Sequence, residues 1–203
     1  MKISAFLGLG SRYSYLASTQ LDRIALETGS EFEWYPVNSI ELIRRARPDD
    51  SPFDQPMLSG QYAPEFRYQD ARRWAAHYGV AYHEPDLSSI DPNALALACW
   101  CQSDHKKRRS LMKAIYAEAF AKGVKMTLDV LEVIAQDFGL TREGIIENLQ
   151  GGTASHLHET AVADALDHGI FGVPSFVCKG EVFWGNDRLT LLRDFIILNQ
   201  DNQ

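Results

Sequence analysis

Gly172-Val173-Pro174-Ser175-Phe176-Val177, followed by Phe183-Trp184-Gly185-Asn186-Asp187-Arg188-Leu189, holds the densest set of residues suited to chemistry. Proline has no N–H for a sheet ladder, so Pro174 belongs at a strand start, an edge or a bulge. In the cis form, a Val173-Pro174 peptide turns the N–H and C=O of Val173 outward, available to a peptide-like ligand. A few residues on, Gly185-Asn186-Asp187 stands where a last helix should begin and offers free N–H groups beside a carboxylate. Together these positions read as a dock for a small molecule with a peptide backbone and an amino-acid head group.

Ser11 is the candidate reactive position. It lies where an apolar run, Ile3 to Leu9, hands over to a first helix, so outward N–H groups and a hydroxyl are there for an anion. A serine hydroxyl could donate to a bound thiolate. A thiol with a reference pKa of about 8.5 is only roughly 3% ionised at pH 7, whereas a drop of about two units makes it mostly thiolate. That drop takes roughly 2.7 kcal/mol, within reach of one charge-assisted hydrogen bond and a helix terminus. Arg12 adds positive potential if it faces the site. Taken alone, Ser11 is more simply a helix cap.

Other patterns carry less. Gly8-Leu9-Gly10-Ser11-Arg12-Tyr13 begins like a dinucleotide fingerprint, with Glu31 or Glu33 at the right distance, but Tyr13 stands where a small residue must. Dithiol exchange needs Cys-x-x-Cys at the first helix, where this chain has Ser11-Arg12-Tyr13-Ser14. Cys99 and Cys101 sit two apart in a helix and point away from each other, and Cys178 fills a strand; all three read as buried apolar residues. His156, His158 and Glu159 read as a solvated helix face, so no metal is expected. Asp70 and Arg73 read as a surface ion pair, and Trp74, Tyr78 and Trp100 as core. Lys106-Lys107-Arg108-Arg109 reads as a solvated first helical turn.

The elements that must position these groups follow a simple order. Ile3–Leu9 is a strand, Ser14–Thr28 a helix closed by Gly29, and Glu31–Val37 a second strand, parallel to the first, with Pro36 keeping it near an edge. From Asn38 to Gly169 the pattern is almost wholly helical: a short helix over Ile40–Ala46, then prolines 48, 52, 56 and 64 in an irregular stretch. Helices follow over Phe66–Tyr78, from the Asp91 cap through Gln102, around Leu111, Ile115 and Ala119, over Thr127–Phe138, and from the Thr141 cap. Gly151-Gly152 breaks the last of these, and a further helix runs on to His168. Then Ser175–Cys178 and Glu181–Trp184 form a hairpin around Lys179-Gly180, and a last helix starts near Asp187.

The fold class is therefore α/β, a thioredoxin-like fold with a large all-helical insertion. Residues 1–37 and 170–203 make the thioredoxin-like domain and residues 38–169 the helical insertion. A net charge of −7 excludes a general nucleic-acid or anionic-membrane surface, and no run is long enough for a membrane span. The start only faintly resembles a signal peptide, because Ser11-Arg12 interrupts it and no cleavage pattern follows. With three cysteines and no disulfide framework, the expected location is the cytoplasm.

Ser11-Arg12-Tyr13-Ser14-Tyr15-Leu16-Ala17, the Phe66–Gly79 segment with Asp70, Arg73, Trp74, Ala75 and Tyr78, and the two C-terminal stretches together resemble one family across the whole chain. The resemblance is to 2-hydroxychromene-2-carboxylate isomerases, kin of kappa-class glutathione transferases and of the DsbA-like thioredoxin fold. It implies bound glutathione, with Ser11 at the sulfur, Val173 ahead of cis-Pro174 on the cysteinyl backbone, and Asn186 with Asp187 at the γ-glutamyl head. It also implies reversible thiolate addition to a conjugated aryl pyruvate, a small aromatic substrate, and a homodimer. The alternatives are a kappa-like transferase conjugating electrophiles and a non-catalytic glutathione-binding protein. The family pattern reads Asp-Phe-x-Ser-Pro at the first turn, whereas this chain has Gly8-Leu9-Gly10-Ser11-Arg12. Phe66 and Ala63 stand where the pattern has tyrosine and lysine. These departures fall on the acceptor side.

Overall fold

The apolar run near the start forms β1 (Lys2–Gly8), and the alternating run after Gly29 forms β2 (Glu31–Val37). They pair in parallel, Lys2 opposite Glu31 through Gly8 opposite Val37, as a helical connection requires. The computed structural model, which describes residues 1–48 and 63–200, places β3 (Ser175–Cys178) and β4 (Glu181–Trp184) on the other side of β1. The strand order is β2-β1-β3-β4, with β3 antiparallel to both neighbours. Pro36 lies in an edge strand, where its missing N–H costs no inner ladder bond. Lys179 and Gly180 have φ of 51° and 82°, the paired positive values of a tight hairpin turn whose twist suits the strands.

The Ser14–Thr28 stretch is two helices rather than one, α1 (Arg12–Ser18) and α2 (Leu21–Thr28). Adjacent hydroxyls explain the break. Ser18 Oγ donates to the Tyr15 carbonyl at 2.6 Å and Thr19 Oγ1 to the Leu16 carbonyl at 2.7 Å, competing with the backbone for the same acceptors. Gly29 closes α2 with φ 58°.

Between β2 and β3 lie α3 (Ser39–Ala46), α4 (Pro64–Tyr78), α5 (Pro92–Trp100) and α6 (His105–Tyr116). A π-helical turn over Ala117–Ala121 leads to α7 (Leu128–Gln136), α8 (Arg142–Leu149) and α9 (Thr153–Asp167). A 3₁₀ turn over Asn186–Arg188 precedes α10 (Leu189–Gln200). Pro64 belongs to α4 as its first residue, where the absent N–H would be unpaired anyway, and not to the irregular stretch before it. The expected irregularity at prolines 52 and 56 lies outside the described residues. The helix capped by Asp91 ends at Trp100, two residues short of Gln102.

β1 runs between two strands with helices on both faces. Ile3, Ala5 and Leu7 pack into one cluster with Leu16, Phe176 and Ile196, while Phe6 packs into the other with Val37 and Val162. This is the α/β, thioredoxin-like arrangement with helices intervening between its β-α-β and β-β-α halves. One surface assignment changes. Lys106 and Lys107 are exposed, but Arg108 is buried with its guanidinium 4.2 Å from the centre of the Trp100 ring. A long stem lets arginine reach inward from a helix flank and offer its charge to an aromatic face.

Candidate active site

At Gly8, the last residue of β1, Val173 from late in the chain comes up against Ser39 and Ser11 from early in it. A Cβ placed on Gly8 would lie 3.0 Å from Val173 Cγ2, 3.1 Å from Ser39 Cβ and 3.4 Å from Ser11 Cβ. Three side chains from three parts of the sequence therefore converge on one residue that has none. Its backbone is fixed from below, since the Tyr116 hydroxyl donates to the Gly8 carbonyl at 3.0 Å and the Gly8 N–H donates to Ser14 Oγ at 3.1 Å.

Ser11 is the N-cap of α1, with φ −96° and ψ 118°, and its Oγ accepts the Ser14 N–H at 3.2 Å. Capping uses a lone pair and leaves the hydroxyl hydrogen without an acceptor among the described residues. Cap and donor are thus compatible roles. The amides of Arg12 and Tyr13 have no backbone partner among the described residues, as the first turn of any helix dictates.

The Val173-Pro174 peptide is cis. Phe6 pairs with Ser175 at the end of the β1–β3 ladder, and beyond it the N–H and C=O of Val173 are unpaired among the described residues. Ser175 Oγ donates to the Gly172 carbonyl at 2.7 Å, and the Gly185 N–H donates to the Pro174 carbonyl at 2.9 Å. That second bond ties the Val173 loop to the Asn186–Arg188 turn. The amides of Asn186 and Asp187 lack backbone partners among the described residues, while the half-exposed Asp187 carboxylate pairs with Arg188 at 2.6 Å. Gly185 has φ 108°, and a side chain there would collide with Asp187 Oδ1.

Several neighbours were not visible as site residues in the sequence. Tyr78, read as core, donates its hydroxyl to the Asn186 carbonyl at 3.0 Å, and burial raises its phenol pKa. Asp70 accepts from the Tyr13 hydroxyl at 2.9 Å instead of pairing with Arg73, which reaches Gln69. Burial and that bond push Tyr13 up to about 12, so it stays protonated. Trp74 is part-buried and lines a recess of about 300 Å³ with Asp70, Arg73 and His77. Arg12 is held 2.6 Å from Glu84, so part of its charge is compensated. Cys99 and Cys178 are buried, and burial raises both thiols.

His158 is also buried rather than on a solvated face. Its Nε2 accepts the Asn38 N–H at 3.0 Å, and Asn38 in turn caps α3 next to Ser39. Glu41 and Glu159 lie close enough to share a cation with it. With Nε2 accepting, the neutral ring must carry its proton on Nδ1, the nitrogen facing Glu41, so that nitrogen has no lone pair for a metal. Burial lowers the His158 pKa from 6.5. The unfolded chain then takes up a proton as pH falls through about 6.5 while the folded ring resists, so stability is full above that pH and declines below it. The thermal midpoint is expected to drop on acidification from pH 7 to 5, and His158→Gln should flatten that slope; an unchanged slope would exclude His158 as its source.

The DSBA-like thioredoxin domain family matches residues 2–196. The chain belongs to that family. Within the DSBA-like thioredoxin domains, it is 27% identical to a 2-hydroxychromene-2-carboxylate isomerase of Sphingobium xenophagum, over 92% of this chain and 93% of the relative. A solved structure of a 2-hydroxychromene-2-carboxylate isomerase superposes with a TM-score of 0.79 at 18% identity, covering all of both chains. A probable DsbA oxidoreductase from Streptomyces coelicolor superposes with a TM-score of 0.74 at 17% identity, covering all of this chain and 91% of the other. This chain places Ser11-Arg12-Tyr13-Ser14, with no cysteine, at the opening of α1.

Proposed function

We propose that the protein binds glutathione and acts as a glutathione-dependent isomerase on 2-hydroxychromene-2-carboxylate or a related aromatic-catabolism intermediate. The observation that carries this reading is the convergence of the Ser11 and Val173 side chains on Gly8, with the Val173 N–H and C=O unpaired among the described residues. Relatives named for that isomerase, aligned over nearly the whole chain, support the choice of reaction.

The donor set suits a γ-glutamyl tripeptide. The N–H and C=O of Val173 can take a cysteinyl backbone in strand fashion. The Asp187 carboxylate suits an ammonium and the Asn186 and Asp187 amides suit a carboxylate. The Arg188 pair is exposed, so exchanging it for a ligand costs little. When bound, glutathione supplies a sulfur nucleophile that adds to a conjugated double bond and leaves again, allowing rotation in between. Ser11 serves that chemistry by directing its free hydrogen at the sulfur while the Ser14 N–H, donating to Oγ, polarises the hydroxyl.

Glutathione accounting during turnover tests the reading. An isomerase leaves the glutathione concentration unchanged, a transferase consumes it one for one, and a binding protein shows calorimetric binding without turnover. Asp187→Ala is expected to weaken glutathione binding by about tenfold, the scale of one charge-assisted hydrogen bond. Unaltered affinity by calorimetry would place the head group elsewhere.

A further inference from the structure

Next to Ser11 lies a group of charged side chains that the glutathione contacts do not use. Arg12 Nη2 is 2.6 Å from Glu84 Oε1, while Arg12 Nη1 is shut off from solvent with no hydrogen-bond partner. Arg67, on α4, is half-buried and has no ion-pair or side-chain hydrogen-bond partner among the described residues. It lies one turn before Asp70 and Ala71, on the α4 face turned toward α1. Burial first, and the nearby Arg12 charge second, lower the Arg67 pKa.

Among the described residues, the carboxylates beside this pair, Glu84 and Asp70, are already committed. Glu84 takes Arg12 and the Tyr82 hydroxyl, and Asp70 takes the Tyr13 hydroxyl. Among the described residues, one guanidinium and the inner nitrogen of another therefore remain unmet in a partly desolvated place, an arrangement that costs free energy until an anion arrives. The flanks are aromatic and apolar: the Tyr68 and Tyr82 rings lie 6.5 Å apart, and Leu87 Cδ1 comes within 3.1 Å of a Cβ placed on Gly10. Guanidinium forks match a planar carboxylate, and phenol rings match a conjugated plane.

We propose that Arg12 and Arg67 form the subsite for the carboxylate of a conjugated or aromatic acid, beside the Ser11 hydroxyl. The subsite rests on the glutathione reading only for the identity of the partner reacting there. It deepens that reading by naming how the organic acid is recognised.

Calorimetry with salicylate and its uncharged methyl ester, titrated into glutathione-loaded protein, tests it. The unaltered protein should bind the acid at least tenfold more tightly than the ester. Arg67→Met and Arg12→Met should each erase most of that preference and leave glutathione affinity within about twofold, whereas Arg67→Lys should retain part of it. The subsite is overturned if acid and ester bind alike, if salicylate does not bind, or if the preference survives both methionine variants. It is equally overturned if the variants weaken glutathione instead, which would assign the pair to the tripeptide. Should glutathione itself fail to bind, the cofactor reading falls and the same titrations on unloaded protein still decide the subsite. Arg67 has no partner to lose among the described residues, so its variant keeps the test valid if Arg12→Met misfolds after losing Glu84.

Discussion

Ser11→Ala is expected to cut turnover about 30- to 150-fold while glutathione affinity changes little. The expected size follows from one hydrogen bond to a charged group, about 2–3 kcal/mol, acting on the ionised sulfur. The hydroxyl is free to give that bond because its capping role is filled by a lone pair, the Ser14 N–H donating to Oγ at 3.2 Å. Two readouts separate the roles. Ultraviolet thiolate absorbance against pH should show the bound sulfhydryl ionising about two units higher. Loss of the cap should also cost about 1 kcal/mol of stability, seen in denaturant unfolding. A stability loss with an unmoved thiolate titration would leave Ser11 as a cap and nothing more.

Gly8→Val should have a still larger effect. Any Cβ at Gly8 is already at 3.0 Å from Val173 and 3.1 Å from Ser39, and valine adds two methyl groups to that space. Neither neighbour retreats easily, because the Gly185 N–H holds the Pro174 carbonyl next to Val173 and Ser39 opens α3 beside the Asn38 cap. Overpacking of this kind costs about 1–3 kcal/mol, and relief by moving Val173 away would pull the site apart. Turnover is expected to fall to background and the thermal midpoint to drop, with Gly8→Ala intermediate in both. Full activity in the valine variant would show that Ser11 and Val173 need not stay in register.

The sequence made the architecture legible because its punctuation is strong. Gly29 and Gly79 end helices with positive φ, Asp91-Pro92 opens one, and Lys179-Gly180 makes the hairpin turn. The Ser18-Thr19 break in the first helix was missed because side-chain bonds to nearby carbonyls are a local competition that apolar spacing does not record. Of the site, the individual groups were readable by type: a capping serine, a proline at a strand start, and Asn186-Asp187 at a helix opening. Their convergence was not, since nothing local to Gly8 says that Val173 will lie against it. His158 and Arg108, which read as solvated but are buried, escape the sequence for a related reason. A polar tip on a long or aromatic body can end inside or outside, and tertiary partners alone decide which.

β1 is one of the two inner strands, and of its neighbours one is supplied by the first part of the chain and the other by the last. During synthesis, the β1–β2 pair can form early, but Gly8 must wait for nearly the whole polypeptide before Val173 arrives to complete the cleft. Ligand capture would therefore report that the two termini have met, giving a folding sensor that responds only to the finished molecule.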